Sequence, residues 1–302
     1  MLTTVKVMFN FPNLVFFGTD EFAVTVLETL AEAKVSPTLI ITVPDKPQGK
    51  YLQLTPPPVK IWAEKNNIPY CQPSSLQTIP YKLQANSYKL FLVASYGKLI
   101  PPTIFNWPKF GTLNIHPSLL PKYRGPTPIQ SAILDGVTET GVTLMLLDAE
   151  LDHGSVLQAT SYKLQAQNFV EVRDDLACLG AQLFLDTIPL WVTGEIKAIP
   201  QDQAQATFTK KIKKKDGEVN LFQGDTLGDK GVALYRKFLA YQDWPGVYFF
   251  IERNGKKTRV IITAARIVDN HFVIERVKPE GKKEMSYADF HRGTVRHSVS
   301  HK

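Results

Sequence analysis

The sequence predicts an α/β protein in which a doubly wound, mostly parallel sheet is followed by a smaller, β-rich domain. Three observations lead to this fold class. Apolar runs alternate with amphipathic stretches through residues 1–195, positive charge concentrates in the last third of the chain, and 302 residues are more than one core of ordinary size requires. We therefore predict a first domain over 1–195, a linker over 196–208 and a second domain over 209–302.

The elements of the first domain follow from the spacing of its apolar residues. Continuous apolar runs predict strands over 13–18, 38–43, 89–94, 111–116, 142–147 and 156–164. Helical periodicity between them predicts helices over 20–33, 59–66, 128–134 and 169–193, with Asp20 as the N-cap of the first. Apolar strands separated by helices are typical of a parallel sheet covered on both faces. Ligands of such sheets bind beyond the carboxyl ends of the strands.

The second domain is predicted from a change of pattern after the polar stretch that precedes it. Pro200 and several glutamines mark that stretch as a linker. A helix over 226–240 then precedes strands over 247–253, 258–266 and 271–277. One helix and three short strands indicate a small β-rich domain.

The net charge of +7 is unevenly distributed along the chain. Residues 1–204 hold 15 Lys and Arg against 17 Asp and Glu, a net charge of −2. Residues 205–302 hold 20 Lys and Arg against 11 Asp and Glu, a net charge of +9. Such an excess of positive charge favours the interpretation that this module binds a polyanion, above all nucleic acid. The alternative interpretation is a Lys-rich surface that only aids solubility.

Several classes of protein are disfavoured. Cys71 and Cys178 lie far apart and match no metal-binding or redox spacing, which fits a reducing compartment. No Gly-x-Gly-x-x-Gly motif is present, so a dinucleotide is disfavoured. No stretch approaches the roughly 20 apolar residues of a membrane-spanning helix. We therefore expect a cytoplasmic monomer that binds no metal and has no membrane segment.

The most informative residues are Asn114 and His116, at the end of a predicted strand. Residues two apart on a strand project to the same face, and Pro117 holds His116 in extended geometry. Asn114 offers an amide donor and His116 an imidazole, so the pair can stabilise an oxyanion that forms at an attacked carbonyl. The alternative is a histidine that is satisfied by a neighbouring backbone carbonyl.

Asp152 lies in the predicted turn Leu151-Asp152-His153-Gly154. Its carboxylate can pair with His116 and hold the imidazole tautomer, or can itself take a proton from an amine. Spacing alone leaves open that Asp152 is only a turn residue. A serine hydrolase built on Ser118, His116 and Asp152 is disfavoured, because Ser118 lacks the flanking glycines of a nucleophile elbow.

Over roughly the first 195 residues, the order and separation of several motifs resemble the formyltetrahydrofolate-dependent formyltransferases. The motifs are Phe17-Gly18-Thr19-Asp20-Glu21-Phe22, Val43-Pro44-Asp45-Lys46-Pro47, Ala94-Ser95-Tyr96-Gly97, Asn114-Ile115-His116-Pro117-Ser118-Leu119-Leu120-Pro121-Lys122-Tyr123-Arg124-Gly125, Glu139-Thr140-Gly141-Val142-Thr143 and Leu151-Asp152-His153-Gly154. Pro44-Asp45-Lys46-Pro47 and Pro58-Val59-Lys60, together with a basic carboxyl-terminal domain, are typical of the branch that formylates methionyl-tRNA.

The resemblance implies a formyltransferase Rossmann-like first domain and an OB-like second domain, shortened in this chain. It implies 10-formyltetrahydrofolate as the formyl donor (a co-substrate) and the α-amine of initiator Met-tRNA as the acceptor. It also implies that neither a metal nor a covalent enzyme intermediate is needed.

The resemblance also assigns roles to individual residues. Asn114, His116 and Asp152 match the catalytic trio of the family. The residues that match the folate pocket are Ser118, Leu119, Leu120, Pro121, Tyr96 and Gly97. Candidate tRNA contacts are Lys50, Tyr51, Lys210, Lys211, Lys213, Lys214 and Lys215.

Two other functions stay open at this point. A formyltransferase for a nucleotide-linked 4-amino sugar would share the trio and the stretch Asp243-Trp244-Pro245-Gly246. The charge of residues 205–302 favours tRNA, since a single nucleotide-sugar needs only a few cations. A nucleic-acid-binding protein that merely retains the α/β body is disfavoured, because the whole trio is present.

Overall fold

The computed structural model describes residues 10–49, 52–78, 88–165, 167–221, 226–253 and 255–298. These residues form two compact units. The first comprises the described residues up to Gly125, with Glu139–Lys163 and Arg173–Phe208, and the second comprises Pro126–Thr138, Leu164–Val172 and the described residues from Thr209 onward. The second unit thus includes two segments that the sequence-based boundaries assign to the first domain, and the predicted linker belongs to the first unit.

A seven-stranded sheet organises the first unit, in the order β5-β2-β1-β6-β7-β8-β9. Its strands and those of a separate hairpin are β1 (Leu14–Gly18), β2 (Leu39–Ile41), β3 (Lys46–Gln48), β4 (Gln53–Thr55), β5 (Tyr70–Cys71), β6 (Leu90–Ala94), β7 (Thr112–His116), β8 (Glu139–Leu146) and β9 (Val156–Lys163). Among the residues that the structure describes, β3 and β4 pair only with each other. Pairing is parallel from β5 to β7 and antiparallel from β7 to β9. The predicted doubly wound, mostly parallel sheet is confirmed.

Five of the described helices agree with the predicted ones, and two, Pro102–Phe105 and Tyr287–Ser298, were not predicted. They are Glu21–Glu32, Pro58–Lys65, Pro102–Phe105, Pro128–Asp135, Phe169–Thr193, Gly228–Ala240 and Tyr287–Ser298, with short 3-10 turns at Leu76–Thr78, Gln203–Gln205 and Lys214–Gly217. Asp20 is the N-cap of the first helix, as predicted, because its carboxylate accepts a hydrogen bond from the Ala23 backbone N–H at 3.4 Å.

The apolar core of the first unit lies against β1 and β6. Phe17 of β1 is fully buried, and its ring centroid lies 5.5 Å from those of Phe91 and Tyr96. Burial of each such aromatic side chain stabilises the fold by about 1.5–3 kcal/mol. This core fixes β6, which pairs with the strand β7 that carries the candidate site.

The helix Phe169–Thr193 corrects one expectation. By length and composition it is apolar enough to cross a membrane, although no such stretch was expected from the sequence. Phe184 and Ile188 on this helix are fully buried, and a Cβ added at Gly180 would lie 2.5 Å from Ile115 of β7. The core helix of a water-soluble protein passes the same test, and this helix packs closely on the sheet.

Four antiparallel strands form the sheet of the second unit, in the order β10-β11-β12-β13. They are β10 (Val247–Arg253), β11 (Lys256–Val268), β12 (His271–Pro279) and β13 (Met285–Ser286). The helix Gly228–Ala240 packs on β11, on β12 and on the helix Pro128–Asp135. The predicted small β-rich domain is confirmed. Among the described residues β10 and β13 are the edge strands, and Tyr248 of β10 forms an isolated bridge with Glu218 on its outer side. The two edge strands do not pair with each other, so the sheet is open.

Candidate functional site

Asn114 and His116 lie on β7, near the carboxyl edge of the parallel part of the sheet. β7 pairs with β6 on one side, where Asn114 is opposite Val93, and with β8 on the other, where His116 is opposite Thr143. The strand ends at His116, immediately before Pro117. The two side chains therefore share one face of a strand that is fixed from both sides.

The buried His116 ring has oxygen atoms near both of its nitrogens. Its Nε2 lies 3.0 Å from the backbone oxygen of Tyr123. A carbonyl oxygen only accepts, so Nε2 carries a proton and donates it to this hydrogen bond. Its Nδ1 lies 3.7 Å from Oδ1 of Asp152. Nδ1 is therefore the nitrogen left for chemistry, and it faces a carboxylate.

Asp152 lies in the loop that follows β8, in the left-handed conformation with a φ of 50°. Its Oδ2 accepts a hydrogen bond from the Gly125 backbone N–H at 2.7 Å. The side chain of Asp152 is 13% exposed and that of His116 is 5% exposed. The structure thus brings together His116 and Asp152, which are 36 positions apart in sequence, and leaves their carboxylate–imidazole pair largely shielded from water.

Asn114 is half-buried, and its side-chain amide forms no hydrogen bond with any residue that the structure describes. A half-buried amide that lacks a protein partner is available to donate to a ligand. Its position on the same face as His116 makes it the best-placed donor for a developing negative charge.

The turn Ser118–Pro121 is held rigidly after β7. Ser118 is fully buried and its Oγ donates to the Lys122 carbonyl oxygen at 2.7 Å. Thr143 Oγ1 donates to the Ser118 carbonyl oxygen at 2.7 Å and accepts from the Leu120 N–H at 3.1 Å. Ser118 therefore supports the turn. Leu119, Leu120 and Pro121 are half-buried and are the members of this turn that present apolar surface.

The second segment expected to line a folate pocket is the loop after β6. Tyr96 is only 2% exposed, and its side chain lies in the apolar core against Phe17. Burial raises the pKa of Tyr96 to about 12, and its hydroxyl has no hydrogen-bond partner among the described residues. Gly97 is exposed, with a φ of 76° and open space where a Cβ would be. This loop thus presents Gly97 and backbone atoms, and the Tyr96 side chain belongs to the core.

The start of the first helix is occupied by its own cap. The Asp20 carboxylate accepts hydrogen bonds from the Ala23 N–H and from the Ser95 hydroxyl, and Thr19 Oγ1 donates to the Tyr96 carbonyl oxygen at 2.7 Å. These contacts join the loops after β1 and β6 and place the Asp20 carboxylate at the start of the helix.

The lysines expected to contact tRNA lie in the second unit. All five are exposed, and none forms an ion pair with a described residue: Lys210, Lys211, Lys213, Lys214 and Lys215. Ile212 between them is buried and Tyr248 donates to the Lys214 carbonyl oxygen at 3.1 Å, so β10 anchors the cluster. Lys50 and Tyr51 lie outside the described residues.

Sequence reasoning missed two cation–aromatic pairs on the four-stranded sheet of the second unit. Lys257 lies 4.1 Å from the ring centroid of Phe250, and Arg259 lies 5.5 Å from that of Tyr248. Only the antiparallel pairing of β10 with β11 makes these residues neighbours, so the alternation of residues within one strand gave no signal.

In the part of the chain that the structure describes, no three His, Cys, Asp or Glu side chains are placed to hold a metal ion.

Comparisons with known proteins place this geometry in a family context. The family model described as Formyl transferase matches residues 12–188. A methionyl-tRNA formyltransferase of Chloroflexus aurantiacus is 40% identical over 260 residues, which cover 85% of this chain and 81% of that protein. A methionyl-tRNA formyltransferase of Geobacillus thermodenitrificans is 32% identical over 305 residues, which cover 93% of this chain and 94% of that protein. The crystal structure of HypX from Aquifex aeolicus in complex with tetrahydrofolic acid is similar with a TM-score of 0.65 at 16% identity, over 93% of this chain and 47% of that chain.

Proposed function

The chain belongs to the formyl transferase family, and from that premise we propose that it transfers the formyl group of 10-formyltetrahydrofolate to the α-amino group of methionyl-tRNA. The observation that carries the chemistry is the pairing of His116 with Asp152 at the end of β7, the strand that also presents Asn114 on the same face as His116. The acceptor is supported by relatives named methionyl-tRNA formyltransferases along most of their length and by the basic second unit. Translation initiation is the process that this product would serve.

The residues present fit a folate-borne formyl group. No described residue forms a hydrogen bond with the Asn114 side-chain amide, and the half-buried Leu119, Leu120 and Pro121 offer apolar surface in the turn that follows β7. We assign these three residues and Gly97 to the folate pocket, with Ser118 and Tyr96 as supports. When bound, 10-formyltetrahydrofolate supplies the formyl carbon that the acceptor amine attacks, so negative charge develops on the formyl oxygen.

Asn114 then acts as a hydrogen-bond donor to that oxygen. Its backbone is fixed in β7 between β6 and β8, so little reorganisation is needed when the charge develops. Nε2 of His116 already donates to Tyr123, so Nδ1 could act as the second donor expected from the sequence only after it has taken up a proton.

In this proposal His116 accepts the proton of the attacking amine, and Asp152 stabilises the protonated ring. The amine loses a proton as it attacks, and Nδ1 of His116 is placed to take it. The bond between the formyl carbon and the folate nitrogen would then break, and the same proton would pass from Nδ1 to that nitrogen, so that tetrahydrofolate leaves. The Asp152 carboxylate, 3.7 Å away, stabilises the positively charged ring that results. Gly125 N–H holds the opposite oxygen of the carboxylate, so Oδ1 stays directed at the ring.

An acceptor assay tests the proposal. Purified protein with 10-formyltetrahydrofolate is given charged initiator tRNA or a nucleotide-linked 4-amino sugar, and we expect formylation of the tRNA alone. Formylation of the sugar alone would overturn the acceptor assignment.

The Asn114→Ala variant tests the site in the same assay. Loss of one oxyanion donor costs about 3 kcal/mol, so we expect kcat to fall by about two to three orders of magnitude. Asn106→Ala is the matched control, because Asn106 is exposed and its side chain forms no hydrogen bond with a described residue. Near-normal turnover of Asn114→Ala would refute the assigned role.

A further inference from the structure

The segment 199–208 is bound to the first unit along its length. Ile199 and Val156 exchange two backbone hydrogen bonds, each of 2.8 Å. Farther along, the Thr207 carbonyl oxygen accepts from the Arg124 N–H at 2.9 Å, and Thr207 Oγ1 accepts from the Tyr123 N–H at 2.8 Å. The segment therefore contacts the chain near both members of the His116–Asp152 pair.

Gln201 is the buried centre of this segment. Its Nε2 donates to the carbonyl oxygens of Asp152 at 2.9 Å and Gly154 at 2.8 Å. Its Oε1 accepts from Nε of Arg124 at 3.1 Å and from Nη2 at 2.6 Å. All the polar atoms of the Gln201 side chain are thus used, and they join the Asp152 loop to the segment that follows β7.

The Asp152 loop needs such support. Asp152 has a positive φ of 50°, which non-glycine residues adopt at a cost of order 1–3 kcal/mol when the surroundings impose it. Its backbone approaches β8 closely, because a Cβ at Gly154 would lie 1.9 Å from the Leu146 carbonyl oxygen. The two Gln201 bonds hold the carbonyls of this strained turn in place.

Arg124 strengthens the arrangement. It is only 3% exposed, and within the described residues its guanidinium bonds to the neutral Gln201 amide and to no carboxylate. Charge-assisted bonds are stronger than neutral ones, and a polarised amide is a better donor through its N–H groups. The two sequence neighbours of Arg124 bond to the catalytic pair. The Tyr123 carbonyl oxygen accepts from His116, and the Gly125 N–H donates to the Asp152 carboxylate.

We propose that Gln201, held by Arg124, is a positioning residue for the formyl transfer reaction, which sets the distance between Asp152 and His116. This inference rests on the proposed function of the site. Gln201 acts through the Asp152 loop and is 49 positions from it in sequence. A displacement of about 1 Å at a reacting group can lower a rate by about 100-fold.

The experiment compares Gln201→Met with Gln201→Glu in the full-length chain. Methionine keeps the length of the side chain and removes every hydrogen bond, whereas glutamate keeps an acceptor for Arg124 and replaces the donors to Asp152 and Gly154. We expect kcat to fall about 10- to 100-fold in both variants, with KM for each substrate within about twofold. Gln205→Ala is the control, because Gln205 is an exposed glutamine of the same segment.

A second measurement does not use activity. Hydrogen exchange of the Gly125 amide, which donates to Asp152, reports whether the carboxylate is held. We expect this amide to exchange at least about tenfold faster in both Gln201 variants and at the normal rate in Gln205→Ala. Wild-type kcat in variants that keep normal Gly125 exchange would overturn the inference. An inactive wild-type chain with normal folding would instead overturn the proposed function. In that case, faster exchange of the Gly125 amide in the Gln201 variants would still support the role of Gln201 in positioning Asp152.

Discussion

At the scale of single residues, His116 uses its two ring nitrogens differently. Nε2 donates to the backbone oxygen of Tyr123, and Nδ1 faces Asp152. The backbone bond fixes the ring and leaves Nδ1 for the proton transfer that we propose. The sequence alone offered two alternatives, a histidine satisfied by a backbone carbonyl or a reactive histidine. The geometry is compatible with both, because each nitrogen has a different neighbour.

Tyr96 gives a test of how far a family motif fixes a side-chain role. Its hydroxyl is buried and unpartnered, so we expect Tyr96→Phe to leave KM for 10-formyltetrahydrofolate unchanged and the free energy of unfolding equal or up to about 1 kcal/mol higher. Urea unfolding and steady-state kinetics measure both quantities. Tyr162→Phe is the comparison, because its hydroxyl donates to Asp175 at 2.5 Å and its loss removes a bond. A raised KM in Tyr96→Phe would show that the hydroxyl contacts folate.

Residue-level prediction from sequence succeeded where strand geometry is local. The spacing of Asn114 and His116 fixes a shared face, whatever the rest of the fold. Gln201 and Arg124 carried no such signal, because they are 77 positions apart and only the folded chain makes them neighbours. Asp152 could be placed in a turn, but its distance from His116 depends on the path of β8.

At the scale of elements, one ion pair ties the start of β3 to the following helix. Lys60 Nζ donates to Oδ2 of Asp45 at 2.7 Å, and Gln72 donates to Oδ1 at 2.6 Å. These contacts connect the motifs Pro44-Asp45-Lys46-Pro47 and Pro58-Val59-Lys60, which the sequence shows only as separate stretches. The pair closes the base of the hairpin formed by β3 and β4.

This tie predicts an acid-dependent contribution to stability. The hydrogen bonds from Gln72 and Lys60 hold the pKa of Asp45 below its usual value of 3.8. A lowered pKa stabilises the fold above the unfolded value, and the contribution is lost as the pH falls through the folded value. We therefore expect Asp45→Asn to unfold at lower urea than wild type at pH 7, with the difference shrinking below about pH 4. Asp243→Asn, an exposed carboxylate without a bond to a described residue, is the control and should show no such trend.

Prediction of elements was limited by what an apolar run encodes. The helix Phe169–Thr193 was predicted with its observed bounds, because its long apolar periodicity has few alternatives. β8 and β9 were predicted as strands, but their antiparallel direction was not, since direction depends on the connection and on neighbours. β3 and β4 were missed because three-residue, largely exposed strands leave no apolar run.

At the scale of the whole molecule, charge is the property with the clearest consequence for binding. We expect the combined change of Lys210, Lys211, Lys214 and Lys215 to Ala to weaken tRNA binding. Each lysine that contacts a phosphate contributes about one unit to the slope of log affinity against log salt. Affinity titrations at several salt concentrations measure that slope.

The matched control changes four exposed lysines of the first unit, Lys34, Lys65, Lys163 and Lys197, to Ala. It removes the same net charge and should alter the slope far less. Equal effects of both quadruple variants would show that only the total charge matters and would contradict a role for the cluster in the second unit.

Two early segments of the chain, Pro126–Thr138 and Leu164–Val172, belong to the second unit. Ile129 and Ile133 of the helix Pro128–Asp135 are buried there, and Thr127 donates to the Lys210 carbonyl oxygen at 3.0 Å. A chimera that joins this chain to a relative at residue 208 would therefore mismatch a core formed from both parents. Exchange of the second unit between relatives requires all three of its segments to come from the same parent.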